Sequence, residues 1–167
     1  MDKRIIIIGL LVLALFLFSF TNDTNEPLIL PSDMQPIDTT VRGQRNRNPL
    51  NIKKGGRQDW QGTTGYDNQG HAIFSSIELG TRASLRDLKG KIERGINTIY
   101  KICDIWAEAN ISNYAGFVSN SSKIPQDKVI KFEKETMRKI VYYMGIWESK
   151  YKLSAEQFET AWNLANA

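Results

Sequence analysis

Residues 5–20 read Ile-Ile-Ile-Ile-Gly-Leu-Leu-Val-Leu-Ala-Leu-Phe-Leu-Phe-Ser-Phe, sixteen positions in a row without a charge. A run of this kind needs lipid, a protein core or the secretion machinery around it. Lys3 and Arg4 precede it, and Thr21-Asn22-Asp23 follow at once. As a helix it would rise about 24 Å at about 1.5 Å per residue, a little short of a hydrocarbon core of about 30 Å. Snorkelling basic side chains and local thinning close a gap of that size. The pattern predicts a single-pass anchor over residues 1–20, with the basic N-terminus cytoplasmic and the rest of the chain on the far side. A viral membrane is one place for it. A cleaved secretory signal is the competing reading. Its apolar region is usually shorter, and it wants small residues before the cut, which Ser19-Phe20-Thr21 and Asn22-Asp23-Thr24 supply badly.

Residues 21–41 are rich in Asp, Asn, Thr and Pro, with Pro27, Pro31 and Pro36 spread through them. That composition predicts an extended spacer between the bilayer and a domain. The remaining residues, 42–167, suffice for one modest hydrophobic core. The formal charge of +4 permits an acidic partner and requires none. One cysteine, Cys103, and one histidine, His71, exclude an internal disulfide and leave a zinc site short of ligands. No glycine-rich phosphate loop is present, and nothing calls for a cofactor. Between positions 42 and 57 stand Arg42, Arg45, Arg47, Lys53, Lys54 and Arg57, with no acid. This is either a solvated basic loop or a contact for an anionic polymer. Aromatic residues are missing until Trp60, so the interleaving typical of single-strand binding is weak and nucleic acid is disfavoured.

Periodicity then sets a mainly helical domain with one small β element, an α+β class. Residues 59–74 predict a hairpin, with Asp67-Asn68-Gln69-Gly70 at its turn. Ser75 and Glu78 have the spacing of a capping box, which opens a helix to about residue 93 with Ile77, Leu85, Leu88 and Ile92 on one face. Gly95 and Asn97 end it. Thr98 opens a second, in which Ile99, Ile102, Cys103 and Trp106 form one stripe. A short third helix carries Tyr114, Phe117 and Val118. A fourth is expected from Pro125 to about residue 148, and a fifth from Ser154.

The stretch Arg42-Gly43-Gln44-Arg45-Asn46-Arg47-Asn48-Pro49-Leu50-Asn51-Ile52 is distinctive, and it is followed by Trp60-x-Gly62 and Ser76-x-Glu78-x-Gly80-x-Arg82-Ala83. Over about residues 41–165 this resembles a set of phage and prophage proteins described as virion structural or lysozyme-like. More distantly, Asn48-Pro49-x-Asn51-Ile52-Lys53 with Trp60-x-Gly62 is similar to bacterial glucosaminidases of the lysozyme superfamily. The resemblance implies a lysozyme-like fold and a peptidoglycan partner, with cleavage, where it occurs, of the β-1,4 glycan strand. Those glucosaminidases carry their acid glutamate at the end of a helix upstream of the Asn-rich loop. Here the upstream region is the spacer, whose only glutamate is Glu26.

Glycosidic cleavage needs a carboxylic acid at the leaving oxygen and usually a second carboxylate. The carboxyls nearest the signature are Glu78, Asp67 and Asp59. Glu78 is the candidate acid, or else a helix cap; Asp67 is the candidate second carboxylate, or else a turn residue. Arg45, Asn46, Asn48 and Asn51 are candidates to bind substrate, the asparagines through amides offered to N-acetyl groups. Trp60 offers a face to a sugar ring, and Arg82 would hold a muropeptide carboxylate or pair with Glu78. Loop-fixing hydrogen bonds and core packing are the plainer roles for these residues. The leading expectation is a membrane-anchored virion protein that binds, and in one version cuts, peptidoglycan during entry or exit. The alternative is a non-enzymatic structural membrane protein of the virion that contacts the capsid shell.

Overall fold

A computed structural model of the chain describes residues 35–55, 59–107 and 109–167. The apolar run at 5–20, most of the spacer and Arg57 of the basic loop lie outside the described residues, and with them the anchor. Among the described residues no helix is long and apolar enough to cross a membrane.

Six helices and one two-stranded antiparallel sheet make up the described fold. In chain order these are α1 (Arg42–Arg45), β1 (Thr63–Tyr66), β2 (Ala72–Phe74), α2 (Ile77–Glu93), α3 (Ile99–Trp106), α4 (Ile111–Ser122), α5 (Lys134–Ser149) and α6 (Ala155–Asn166). The class is α+β and mainly helical, as the periodicity predicts. The hairpin pairs Thr63 with Phe74, Gly65 with Ile73 and Tyr66 with Ala72, with an irregularity between Thr63 and Gly65.

Most helix ends follow from local chemistry. Thr98 caps α3 by accepting from Lys101 N, and Ser154 with Gln157 forms a full capping box on α6. Gly95, at φ +87°, turns the chain out of α2. The box expected of Ser75 and Glu78 is displaced by one residue. Ser76 is the cap and accepts from Leu79 N, so a leucine occupies the position that would have to reach back. The fourth of the expected helices also starts late, at Lys134 rather than Pro125. Ile130 sends its N–H to Asn97 O at 2.8 Å and buries its side chain, which holds the segment before α5 across the bundle as a strap instead of a helix.

The apolar stripes meet in one core built on Leu85, Leu88, Ile102, Tyr114, Met137, Ile140, Met144 and Phe158. Burial of each such side chain stabilises the fold by about 1.5–3 kcal/mol. A smaller cluster of Ile52, Ala72, Phe74 and Ala83 fastens the hairpin to α2, with Trp60 packed at its edge.

What positions the site is the way the Asn-rich signature is wedged between α2 and the end of α5. Gly80 of α2 lies directly against the loop backbone: a Cβ there would stand 2.1 Å from Arg47 O. Gly43 does the same for α5, where a Cβ would meet the Ser149 Cβ at 2.5 Å. The loop bends sharply enough to put Arg47 at φ +49° and Asn51 at φ +51°, a conformation asparagine tolerates better than most residues.

Candidate functional site

The Asn-rich loop is held by its own side chains. Asn48 is fully buried; its Nδ2 donates to Ile52 O at 2.8 Å and Ala72 O at 2.9 Å, and its Oδ1 accepts from Ile52 N at 2.8 Å. Asn46, equally hidden, donates to Asp67 Oδ2 at 2.9 Å. These two asparagines bind the loop to the hairpin, so their amides are committed to the fold. Asn51 is placed differently. It donates through Nδ2 to the Glu148 backbone oxygen at 2.9 Å and to Glu148 Oε2 at 3.2 Å, while its Oδ1 is buried without a hydrogen-bond partner.

Two further contacts seat the end of α5 on the signature. Gln44 Nε2 donates to Ser149 O at 2.8 Å, and Ser149 Oγ donates to Pro49 O at 2.8 Å. Both are buried and bridge about a hundred residues of chain. The result is a helix whose last turn presents Glu148 to a cleft of about 380 Å³. Arg42, Asn51, Lys53, His71, Asp87 and Lys91 give this cleft its other polar lining and Trp106, Tyr114 and Trp147 its aromatic lining, with Lys91 Nζ over the Trp106 ring at 5.0 Å. The Trp147 ring is stacked on Tyr114, with centroids 5.1 Å apart and planes 6° from parallel.

The electrostatics centre on Glu148. Burial first, and then the Glu148 charge, push the Cys103 thiol up to about 12. The Tyr114 hydroxyl is buried without a hydrogen bond of good geometry; burial and then the neighbouring Glu148 carboxylate hold its pKa well above 10. Asp67 behaves in the opposite way. Burial alone would raise it, but donors from His71 N, the Asn46 amide, Gln69 N and the His71 ring together hold it at about 2. It is an ionised turn carboxylate with its oxygens occupied. His71 is lowered below 6.5 by burial and by the charge of Arg42, against the pull of Asp67.

The remaining candidates fall in three places. Arg45 is exposed, donates to Thr39 O at 3.2 Å and lines a groove beside the cleft together with Asp67, Asn51 and Glu148. Trp60 sends its indole N–H to Lys53 O at 3.0 Å and packs on the small hairpin cluster. Glu78 stands in the first turn of α2, near enough to Tyr151 for its charge to help raise that phenol, and is not among the residues lining the cleft. Arg82 is also remote: its Nε donates to Leu164 O at 3.0 Å, and Arg86 donates to Ala165 O, so the pair caps the carbonyl end of α6. Among the described residues there is no cluster of three or more His, Cys, Asp or Glu that could hold a metal ion.

Sequence reasoning did not single out Glu148. The expected arrangement puts the acid-bearing helix before the Asn-rich loop; here a helix end carrying a glutamate reaches the loop from about a hundred residues after it. The available signal was Gly145-x-x-Glu148-Ser149 closing an apolar helix. Gly145 and Ser149 are both buried, and a small residue at each lets the last turn approach Pro49 and Leu50.

No protein-family model matches the chain. It is similar to Protein P5 of Pseudoalteromonas phage PM2, with 35% identity over 104 residues. That alignment takes in 58% of this chain and 65% of Protein P5, so the chain spans somewhat less than two thirds of the relative's length. A phage protein is thus a homologue over part of the chain.

Proposed function

We propose that this is a phage virion protein whose helical domain is lysozyme-like and engages the glycan strand of peptidoglycan, with Glu148 as the acid that cuts it. One observation carries the reading: a glutamate at the end of a helix, hydrogen-bonded by Asn51 and half withdrawn from water, lines a cleft that polar side chains and aromatic rings share. General acids are commonly carboxyls in such partly desolvated places. In the reaction the Glu148 carboxyl gives its proton to the glycosidic oxygen as the C1–O bond breaks. The cation left at C1 is captured by water or by the sugar's own 6-hydroxyl, and the proton that the attacking water or hydroxyl loses returns to Glu148. The acid assigned to Glu78 on sequence grounds moves to Glu148, and the ring-stacking role of Trp60 moves to Trp147. Residues 5–20 serve as the membrane anchor in this reading, and the similarity to Protein P5 supports its phage setting.

The deciding measurement pairs activity with stability. Glu148→Gln keeps the side-chain shape and removes the proton. Muropeptide release from purified sacculi should fall by roughly 10²–10⁴-fold while the melting temperature stays within a few degrees. Wild-type protein that releases nothing from sacculi, or a Glu148→Gln variant as active as wild type, removes the catalytic claim. The similarity to a phage protein would then favour the second reading, a structural component of the virion.

A further inference from the structure

The end of α5 is completed by side chains from elsewhere in the chain. The last carbonyls of a helix have no partner within it. Here Glu148 O accepts the Asn51 amide at 2.9 Å, and Ser149 O accepts the Gln44 amide at 2.8 Å. The helix then stops at Lys150, whose φ of +55° is a left-handed conformation that a lysine keeps only when its surroundings impose it. Gln44 is itself held from the far side. It is buried, and its Oε1 accepts Asp38 N at 2.9 Å and Gln35 Nε2 at 3.3 Å. Gln35 Oε1 in turn accepts Lys152 N at 3.1 Å. Residues 35–38 therefore grip the turn at 149–152 on both flanks, through Gln44 at one and directly at the other. These partners fix the Gln44 amide, since reversing it would set oxygen against the Ser149 carbonyl and NH2 against the Asp38 N–H. A buried amide satisfied on both sides is a stiff link, and one left half satisfied is costly.

We infer that residues 35–38 form a clamp on the last turn of α5, with Gln35 and Gln44 as positioning residues for Glu148. This rests on the reading of Glu148 as the acid, and it makes the acid's placement depend on the stretch through which the spacer joins the domain. Neither glutamine lines the cleft, so both act through the backbone from Glu148 to Lys152. A shift of about 1 Å in that backbone carries the carboxyl off the scissile bond, and misplacement of that size costs up to about 10²-fold in rate.

The test compares full-length wild type, Gln35→Ala and Ser119→Ala in detergent. Ser119→Ala removes one 2.8 Å bond to Ile124 O beyond the end of α4 and controls for general loosening. Hydrogen exchange is followed by mass spectrometry, and muropeptide release is measured beside the amount of protein retained on sacculi. In Gln35→Ala, exchange over 146–152 should quicken by about threefold to tenfold with α2 and α3 unchanged, as the loss of one or two hydrogen bonds implies. Release should fall tenfold or more while retention on sacculi stays the same. Ser119→Ala should leave exchange over 146–152 as it is. Unchanged exchange there in Gln35→Ala, or an equal rise in every helix, overturns the clamp. Faster exchange with release intact overturns its role in placing the acid. A wild type that releases nothing overturns the catalytic reading instead, and exchange alone then decides the clamp.

Discussion

Asn48→Ala tests whether the asparagine signature is structural at this position. The side chain is completely buried and makes three hydrogen bonds of 2.8–2.9 Å with backbone groups of Ile52 and Ala72. Truncation leaves the Ile52 N–H without its acceptor and takes a donor from two carbonyls. Ile52 O keeps one bond, from Ala72 N at 3.0 Å. A buried polar group deprived of its partner costs about 1–3 kcal/mol, so one orphaned donor, two weakened acceptors and a small void sum to about 3–5 kcal/mol. For a domain of this size that corresponds to a fall of roughly 10–20 °C in melting temperature. Far-UV circular dichroism melts, with urea titrations as a second route, measure the difference directly. Asn48→Asp should be at least as damaging, since it turns the donor of two bonds into another acceptor facing carbonyl oxygens. A loss below about 1 kcal/mol for Asn48→Ala, or a stable Asn48→Asp, would refute the idea that this side chain ties the loop to the hairpin.

Gly80→Ala should destabilise by about 1–3 kcal/mol despite alanine's better helix propensity, because the new methyl meets the Arg47 carbonyl at 2.1 Å; an unchanged urea midpoint would contradict the close approach. Stability should also fall in two steps on acidification. His71 has a folded pKa below 6.5, so its contribution is present above 6.5 and is lost as the pH drops through the lower folded value. Asp67, depressed to about 2 from 3.8, contributes fully above about pH 4 and loses that contribution as the pH falls toward 2. Melting curves against pH in wild type and Asp67→Asn should differ most above pH 4 and converge near pH 2.

The fold was readable where period and caps agree. The stripe Ile99, Ile102, Cys103, Trp106 lies on a real helix, and Asp67 to Gly70 do turn a hairpin. Start signals were less secure. Pro125 suited a helix opening, but the apolar Ile130 found its place in the core through an extended strap, and a neighbouring serine took over the cap of α2. The site was legible in half. The signature marked a loop that borders the candidate cleft, since Asn51 lines it, yet Asn46 and Asn48 spend their amides on backbone and turn. Type alone could not separate them, because an asparagine that fixes a loop and one that meets a ligand differ only in what surrounds them. Glu148 and Trp147 were hidden by distance along the chain: their approach to the loop depends on packing through Gly43, Gly145 and Ser149, which no local pattern encodes.

That distance has a mechanical meaning. The hydrogen bonds that seat the last turn of α5 on the signature join positions 97, 100 and 105 residues apart. The cleft therefore has no existence in any fragment of the domain, and neither the signature nor α5 alone carries a partial version of it. Closing so long a span carries an entropic cost that only the folded core between its ends repays, so the seam between α5 and the loop forms only when the rest of the bundle is in place. Fraying of one helical turn would withdraw the glutamate and leave the rest of the core standing. The exposure of this seam to exchange or proteolysis would then report on the site's integrity more sensitively than any measure of global unfolding.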